Sequence, residues 1–140
     1  MKVILDTNVV LDVLLARQPF ALAAAKIFAL AEQSRIQAWV CATTVTTIDY
    51  LLSQSLSRKK AREAIRRLLA IFDVALVNRS VLERALASPM QDFEDAVLAE
   101  AGALAGVRII VTRNTRDFSR ASLSALTPHE FLVQLDMAEE

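Results

Sequence analysis

Short, largely apolar runs recur at residues 3–5, 36–41, 74–77 and 107–111, each separated from the next by enough chain for a helix. A strand that is apolar on both faces must be covered on both faces, which is the condition of a parallel sheet sheathed by helices. The intervening stretches read as those helices. Residues 9–15 follow the helix-capping run Asp6-Thr7-Asn8, and Pro19 ends that segment. Residues 20–34 carry Leu22, Ile27, Leu30 and Ala31 at helical spacing. Thr43-Thr44 reads as the cap of a helix through Ser53, and Ser57 opens another over 58–72 with Ala61, Ile65, Leu68 and Leu69 on its inner face. A helix over 81–87 stops at Pro89, and one over 93–105, capped by Asp92, is closed by Gly106. Thr127-Pro128-His129-Glu130 is a capping box with proline at the first helical position, so 131–137 forms a closing helix. The expectation is one α/β domain over 1–140, a three-layer α/β/α sandwich around a central parallel sheet of four to five strands.

Composition excludes several classes. An apolar fraction of 54% with only two glycines argues against disorder. Sixteen basic residues balance sixteen acidic ones, so any nucleic-acid contact must come from local clusters rather than net charge. The longest stretch free of Asp, Glu, Lys and Arg, 36–48, falls short of the roughly 18 residues that span a bilayer. The apolar start of the chain is stopped at Asp6, too early for an export signal. A soluble, cytoplasmic protein with no membrane partner is expected, and a single buried Cys41 fits a reducing compartment. Trp39 and Tyr50 read as core residues.

Ligands of open parallel sheets bind beyond the carboxyl ends of the strands. Asp6, Thr7 and Asn8 follow the first strand, and Thr112, Arg113, Asn114, Thr115, Arg116 and Asp117 follow the strongest one. Asp92, Glu94 and Asp95 open the helix that leads into it. Taken singly, Asp6, Asn8 and Asp92 also suit helix caps, and Asp117 suits a turn. Together they are harder to explain structurally. Two carboxylates about 4 Å apart repel by roughly 4 kcal/mol at an effective dielectric near 20, more than a cap contributes. Such a cluster holds protons at raised pKa or binds a cation. Oxygen donors without histidine point to Mg²⁺ or Mn²⁺, ions suited to phosphodiester hydrolysis.

These residues resemble the signatures of the PIN-domain family, which includes VapC-like toxin ribonucleases. Asp6-Thr7-Asn8-Val9-Val10-Leu11-Asp12 resembles its opening motif, Asp92-Phe93-Glu94-Asp95-Ala96 its central acidic helix start, and Val111 through Phe118 its closing motif. The resemblance covers essentially the whole chain. It implies a Mg²⁺- or Mn²⁺-dependent endoribonuclease acting on single-stranded or structured RNA, often the toxin of a type II toxin–antitoxin pair. By position it implies Asp6, Asp95 and Asp117 as metal ligands, with Thr112 and Asn114 orienting carboxylates, water or phosphate. Asp92, Asp49 and Asn8 are further candidates. Asp12 matches a subgroup of the family and reads equally well as an exposed helix residue. The family's acidic residue at the start of the third helix is replaced by Thr47, and Asp49 lies about 200° around that helix from it. A catalytically silent module binding RNA or a protein partner is therefore the alternative.

Arg113 and Arg116 are candidate RNA contacts, with Arg120 nearby. The stripe Arg58, Arg62 and Arg66 reads as a solvated face or a seat for an acidic partner. An antitoxin is a candidate partner, as is a second copy of the chain through Leu14-Leu15 and 20–34. No role is assigned to His129. An aspartyl-phosphate phosphotransferase wants a second aspartate where Asn8 stands, and no glycine-rich loop supports nucleotide binding.

Overall fold

A computed structural model describes residues 1–139. Strand β1 (Lys2–Leu5) runs into helix α1 (Thr7–Leu14), followed by α2 (Ala21–Glu32), β2 (Gln37–Cys41), α3 (Ala42–Ser55) and α4 (Arg58–Ile71). The second half comprises β3 (Asp73–Ala75), α5 (Arg79–Ala87), α6 (Phe93–Leu104), β4 (Ile109–Val111), a 3₁₀ turn (Thr115–Phe118), β5 (Ser124–Leu126) and α7 (Pro128–Glu139). All four pairings are parallel, in the order β3-β2-β1-β4-β5. The chain therefore builds outward from β1 in one direction, then returns to lay β4 on its other side. That reversal makes the carboxyl ends of β1 and β4 a topological switch point, where neighbouring connections diverge and leave a crevice.

Alternation along the strands distributes the core between two faces. Val3, Leu5, Val40 and Val111 pack under α1, α2, α3, α4 and α7, while Ile4, Cys41 and Ile110 pack under α5 and α6. This is the expected three-layer sandwich. Gly102 of α6 sits so close to β1 that a Cβ there would meet Ile4 Cγ2 at 3.2 Å. At the end of α6, Gly106 adopts φ +83°, a left-handed closure open to glycine.

Several boundaries differ from the sequence expectation. Strand β4 begins at Ile109 rather than 107, because the Val107 N–H is used in closing α6, donating to Gly102 O at 2.9 Å. Helix α3 begins at Ala42, and Thr43 and Thr44 lie inside its first turn rather than capping it. Asn78 was not read as a cap, yet its side chain accepts from Val81 N at 3.0 Å to start α5. The capping box is made in both directions, Glu130 N to Thr127 Oγ1 at 3.1 Å and Thr127 N to Glu130 Oε1 at 2.9 Å, so α7 starts at Pro128. Tyr50 is 64% exposed rather than in the core. Among the described residues no helix is long and apolar enough to cross a membrane.

Candidate active site

Asp6 leaves β1 at the switch point. Its backbone N–H still belongs to the sheet, donating to Val111 O at 2.9 Å. Its carboxylate has turned to cap α1, Oδ1 accepting from Thr7 N at 2.8 Å, while Oδ2 accepts from the Thr112 hydroxyl at 2.7 Å. Thr112 is fully buried at the end of β4, and its Oγ1 also accepts from Asn114 N at 3.0 Å. Asn8 Oδ1 takes a long, 3.5 Å bond from Arg113 N. The first turn of α1 and the loop after β4 are thus stitched side to side by short polar side chains.

The other carboxylates arrive from α6 and from the 3₁₀ turn. Asp92 caps α6, accepting from Asp95 N at 2.9 Å, and this aims the first turn of that helix at the same crevice. Asp117 is set by the turn, its N–H donating to Asn114 O at 3.0 Å. Asp6, Asn8, Asp92, Glu94, Asp95, Asn114 and Asp117 line one depression. Its electrostatics follow from the crowding. Burial, and then the charges of Asp6, Asp92, Asp117 and Glu94, push the Asp95 carboxyl up to about 7. Burial also raises the Asp6 carboxyl, although the bonds from Thr112 and Thr7 oppose it, and Asp117 and Glu94 add to the rise.

Beside the acids lie two arginines, Arg113 and one that the sequence did not single out, Arg17. Asp12 is buried, at 1% exposure, not an exposed helix residue. Arg17 Nε donates to its Oδ1 at 2.9 Å, and Arg113 Nε lies 2.8 Å from Oδ2, out of line for a hydrogen bond. Arg113 Nη2 reaches Oδ1 at 3.3 Å, and the guanidinium carbon sits 4.0 Å from the centre of the Phe20 ring. Arg17 and Arg113 both border the acidic depression. Arg113 is therefore held by Asp12 and Phe20 while still lining the depression. Arg116 lines an adjoining cleft with Asp92, Asp95, Asp117 and Arg120. The signal for Arg17 was its five-residue separation from Asp12, which a surface pair would equally produce.

The sequence profile of the PIN domain matches residues 2–116. The chain belongs to the PIN-domain family. Among curated proteins no sequence relative is found. Solved structures confirm the fold of this PIN domain at low identity. A toxin–antitoxin complex from Klebsiella pneumoniae superposes with TM-score 0.69 at 22% identity, covering 91% of this chain and 98% of that one. VapBC2 from Rickettsia felis, bound to a DNA fragment from its promoter, gives 0.69 at 14% identity with 91% and 98% coverage. VapC20 of Mycobacterium tuberculosis, described as a toxin cleaving the sarcin–ricin loop, gives 0.67 at 15% identity with 86% and 98% coverage.

The donor chemistry of the depression fits a hard divalent cation. Every side chain lining it that could ligate offers oxygen, with no histidine or cysteine among them. Burial, and behind it the charge of neighbouring acids, raises the Asp95 and Asp6 carboxyls, a cost that a bound cation would relieve. Among the described residues no three such side chains are drawn tightly enough to cage an ion as they stand, so the carboxylates border the depression without closing over it. Asp49 is not among them. It pairs with Arg62 of α4, Nε to Oδ1 at 3.2 Å. Thr47 lies one helical turn beyond Thr44, whose hydroxyl meets that of Thr7 at 3.0 Å, so both threonines share the α3 face turned toward the start of α1.

Proposed function

We propose that this PIN domain is an endoribonuclease that hydrolyses phosphodiester bonds in single-stranded or structured RNA with Mg²⁺ or Mn²⁺ held by Asp6, Asp95 and Asp117. The observation that carries this reading is the convergence, at the sheet's switch point, of carboxylates from the end of β1, from α6 and from the 3₁₀ turn, where burial and then the charges of Asp6, Asp92, Asp117 and Glu94 raise Asp95 to about 7. When bound, the cation supplies Lewis acidity and a more acidic water. The chain's own residues do the positioning. Thr112 and Thr7 N–H fix both oxygens of Asp6 before any substrate arrives, which removes a reorganisation cost from the reaction. Asp95 would hold the cation as a carboxylate, its proton released on binding. The Asn114 amide, lining the depression, is placed to donate to a phosphate oxygen. Arg17 and Arg113, oriented by Asp12, offer fixed positive charge at one end, and Arg116 offers it in the adjoining cleft.

Single-stranded RNA is expected to be cut with Mg²⁺ or Mn²⁺ and spared in chelator, and Asp95→Asn is expected to stop cutting while circular dichroism stays unchanged. RNA left whole in both metals removes the nuclease reading. The resemblance to toxin–antitoxin complexes supports a role as the toxin of such a pair in the cytoplasm, with an antitoxin as partner. Growth arrest on expression, relieved by co-expression of a neighbouring small protein, tests that role. Thr47 favours the second reading, a silent module, for which RNA binding without cleavage is the signature.

A further inference from the structure

Arg113 and Asn114 border two hollows at once. On one side is the acidic depression, and on the other they meet Pro19, Phe20, Thr127, Pro128 and His129 around a second hollow that no carboxylate lines. Its walls are flat and apolar. Phe20 stays 40% exposed, the Arg113 guanidinium lies 4.0 Å from its ring centre, and the Pro19 and Pro128 rings stand nearby. Asn114, Thr127 and His129 add donors and acceptors along the edges. The Arg113–Phe20 stack is also held from behind. Buried Asp12 fixes the guanidinium, so the platform is ordered before anything lands on it.

We infer that this second hollow is a nucleobase subsite, taking the base of a nucleotide next to the phosphate that lies in the acidic depression. The inference rests on the nuclease reading of that depression. Unpaired bases stack on aromatic rings and guanidinium planes while their edges take hydrogen bonds, which is the lining found here. Continuity supplies the geometry: a strand whose phosphate passes Asn114 has the hollow within one residue's reach. Charge separates the tasks, since carboxylates repel the backbone unless a cation intervenes, whereas the second hollow presents Arg113 and no carboxylate.

The test is a titration of ¹⁵N-labelled protein, in Mg²⁺, with uridine 5′-monophosphate, adenosine 5′-monophosphate and ribose 5-phosphate, none of which has a phosphodiester bond to cut. Shifts that depend on the base are expected at the amides of Phe20, Asn114, Thr127 and His129, with ribose 5-phosphate leaving Phe20 and His129 unmoved. Phe20→Ala is expected to weaken nucleotide binding about tenfold, as loss of one stacking partner does. His129→Ala, at an exposed position lining the same hollow, is expected to change the base preference without touching the fold. Equal shifts with the sugar phosphate, or base-dependent shifts located elsewhere, overturn the inference. Because no cleavage is read, base-dependent shifts at these amides in a protein that leaves RNA whole would remove the nuclease reading and retain the subsite. RNA cleavage without those shifts would do the reverse.

Discussion

The hydroxyl of Thr112 donates to Asp6 Oδ2 at 2.7 Å, joining residues 106 positions apart in the chain. Both sit beyond strand ends that are in register, Leu5 against Val111, so the bond is a product of sheet order rather than of local sequence. Thr112→Val keeps the shape and removes the donor. Stability is expected to fall by about 1–2 kcal/mol and RNA cleavage by roughly tenfold, with Thr112→Ser restoring both. Cleavage unchanged in the valine variant would show that Asp6 needs no such orientation.

Asp95 sets a pH dependence of stability. Its carboxyl sits above the unfolded value, up to about 7, so the folded state binds the extra proton between about pH 4 and pH 7. In the metal-free protein the contribution is favourable at the acid end and is lost as pH rises through about 7. Asp95→Asn removes the liability. After discounting for partial exposure, it is expected to raise the melting temperature at pH 8 by about 3 °C, roughly 1 kcal/mol, and to change little at pH 4. Parallel melting curves at both pH values would contradict this.

Divalent metal is expected to stabilise the same protein at pH 8, by RT ln(1+[metal]/Kd), and not to stabilise Asp95→Asn to the same extent. Thermal unfolding with Mn²⁺ and with chelator checks it. Equal shifts in both proteins would place the ion elsewhere.

Asp12 is the common counter-charge of Arg17 and Arg113. Asp12→Ala strands two guanidinium groups that can partly turn to water, so a loss of about 1–3 kcal/mol in urea unfolding is expected. Arg17→Ala leaves Asp12 with Arg113 and is expected to cost less. If Arg17→Ala costs more, the carboxylate is not shared as described.

Asp49→Ala is expected to leave RNA cleavage within about twofold of the parent, since it loses only a solvent-exposed pair with Arg62. Thr47→Glu, on the α3 face turned toward Thr7, is expected to raise cleavage. A drop in the first variant and none in the second would return Asp49 to the site.

The sequence carried the layer order because strands buried on both faces must be continuous in apolar character, as in Ile4–Leu5 and Ile110–Val111. It did not reveal β5, where Ser124, Ala125 and Leu126 form an edge strand too short and too polar to stand out. The acidic residues were legible because Asp6 and Asp117 follow strand ends and Asp92, Glu94 and Asp95 gather at a helix start. Arg17 and the burial of Asp12 were not, since a carboxylate on a helix looks the same in sequence whether it faces water or two arginines. The pairing of Asp49 was hidden as well: its partner Arg62 sits on another helix, and no local pattern links them.

Placing β4 beside β1 also orders events in time. A growing polypeptide emerges with Asp6 early, but the strand that flanks it, the hydroxyl that orients it and the carboxylate of Asp117 all come from the far end. N-terminal segments can collapse first during synthesis. The acidic crevice cannot assemble until the segment through Asp117 has cleared the ribosome, so the site is completed only late in synthesis.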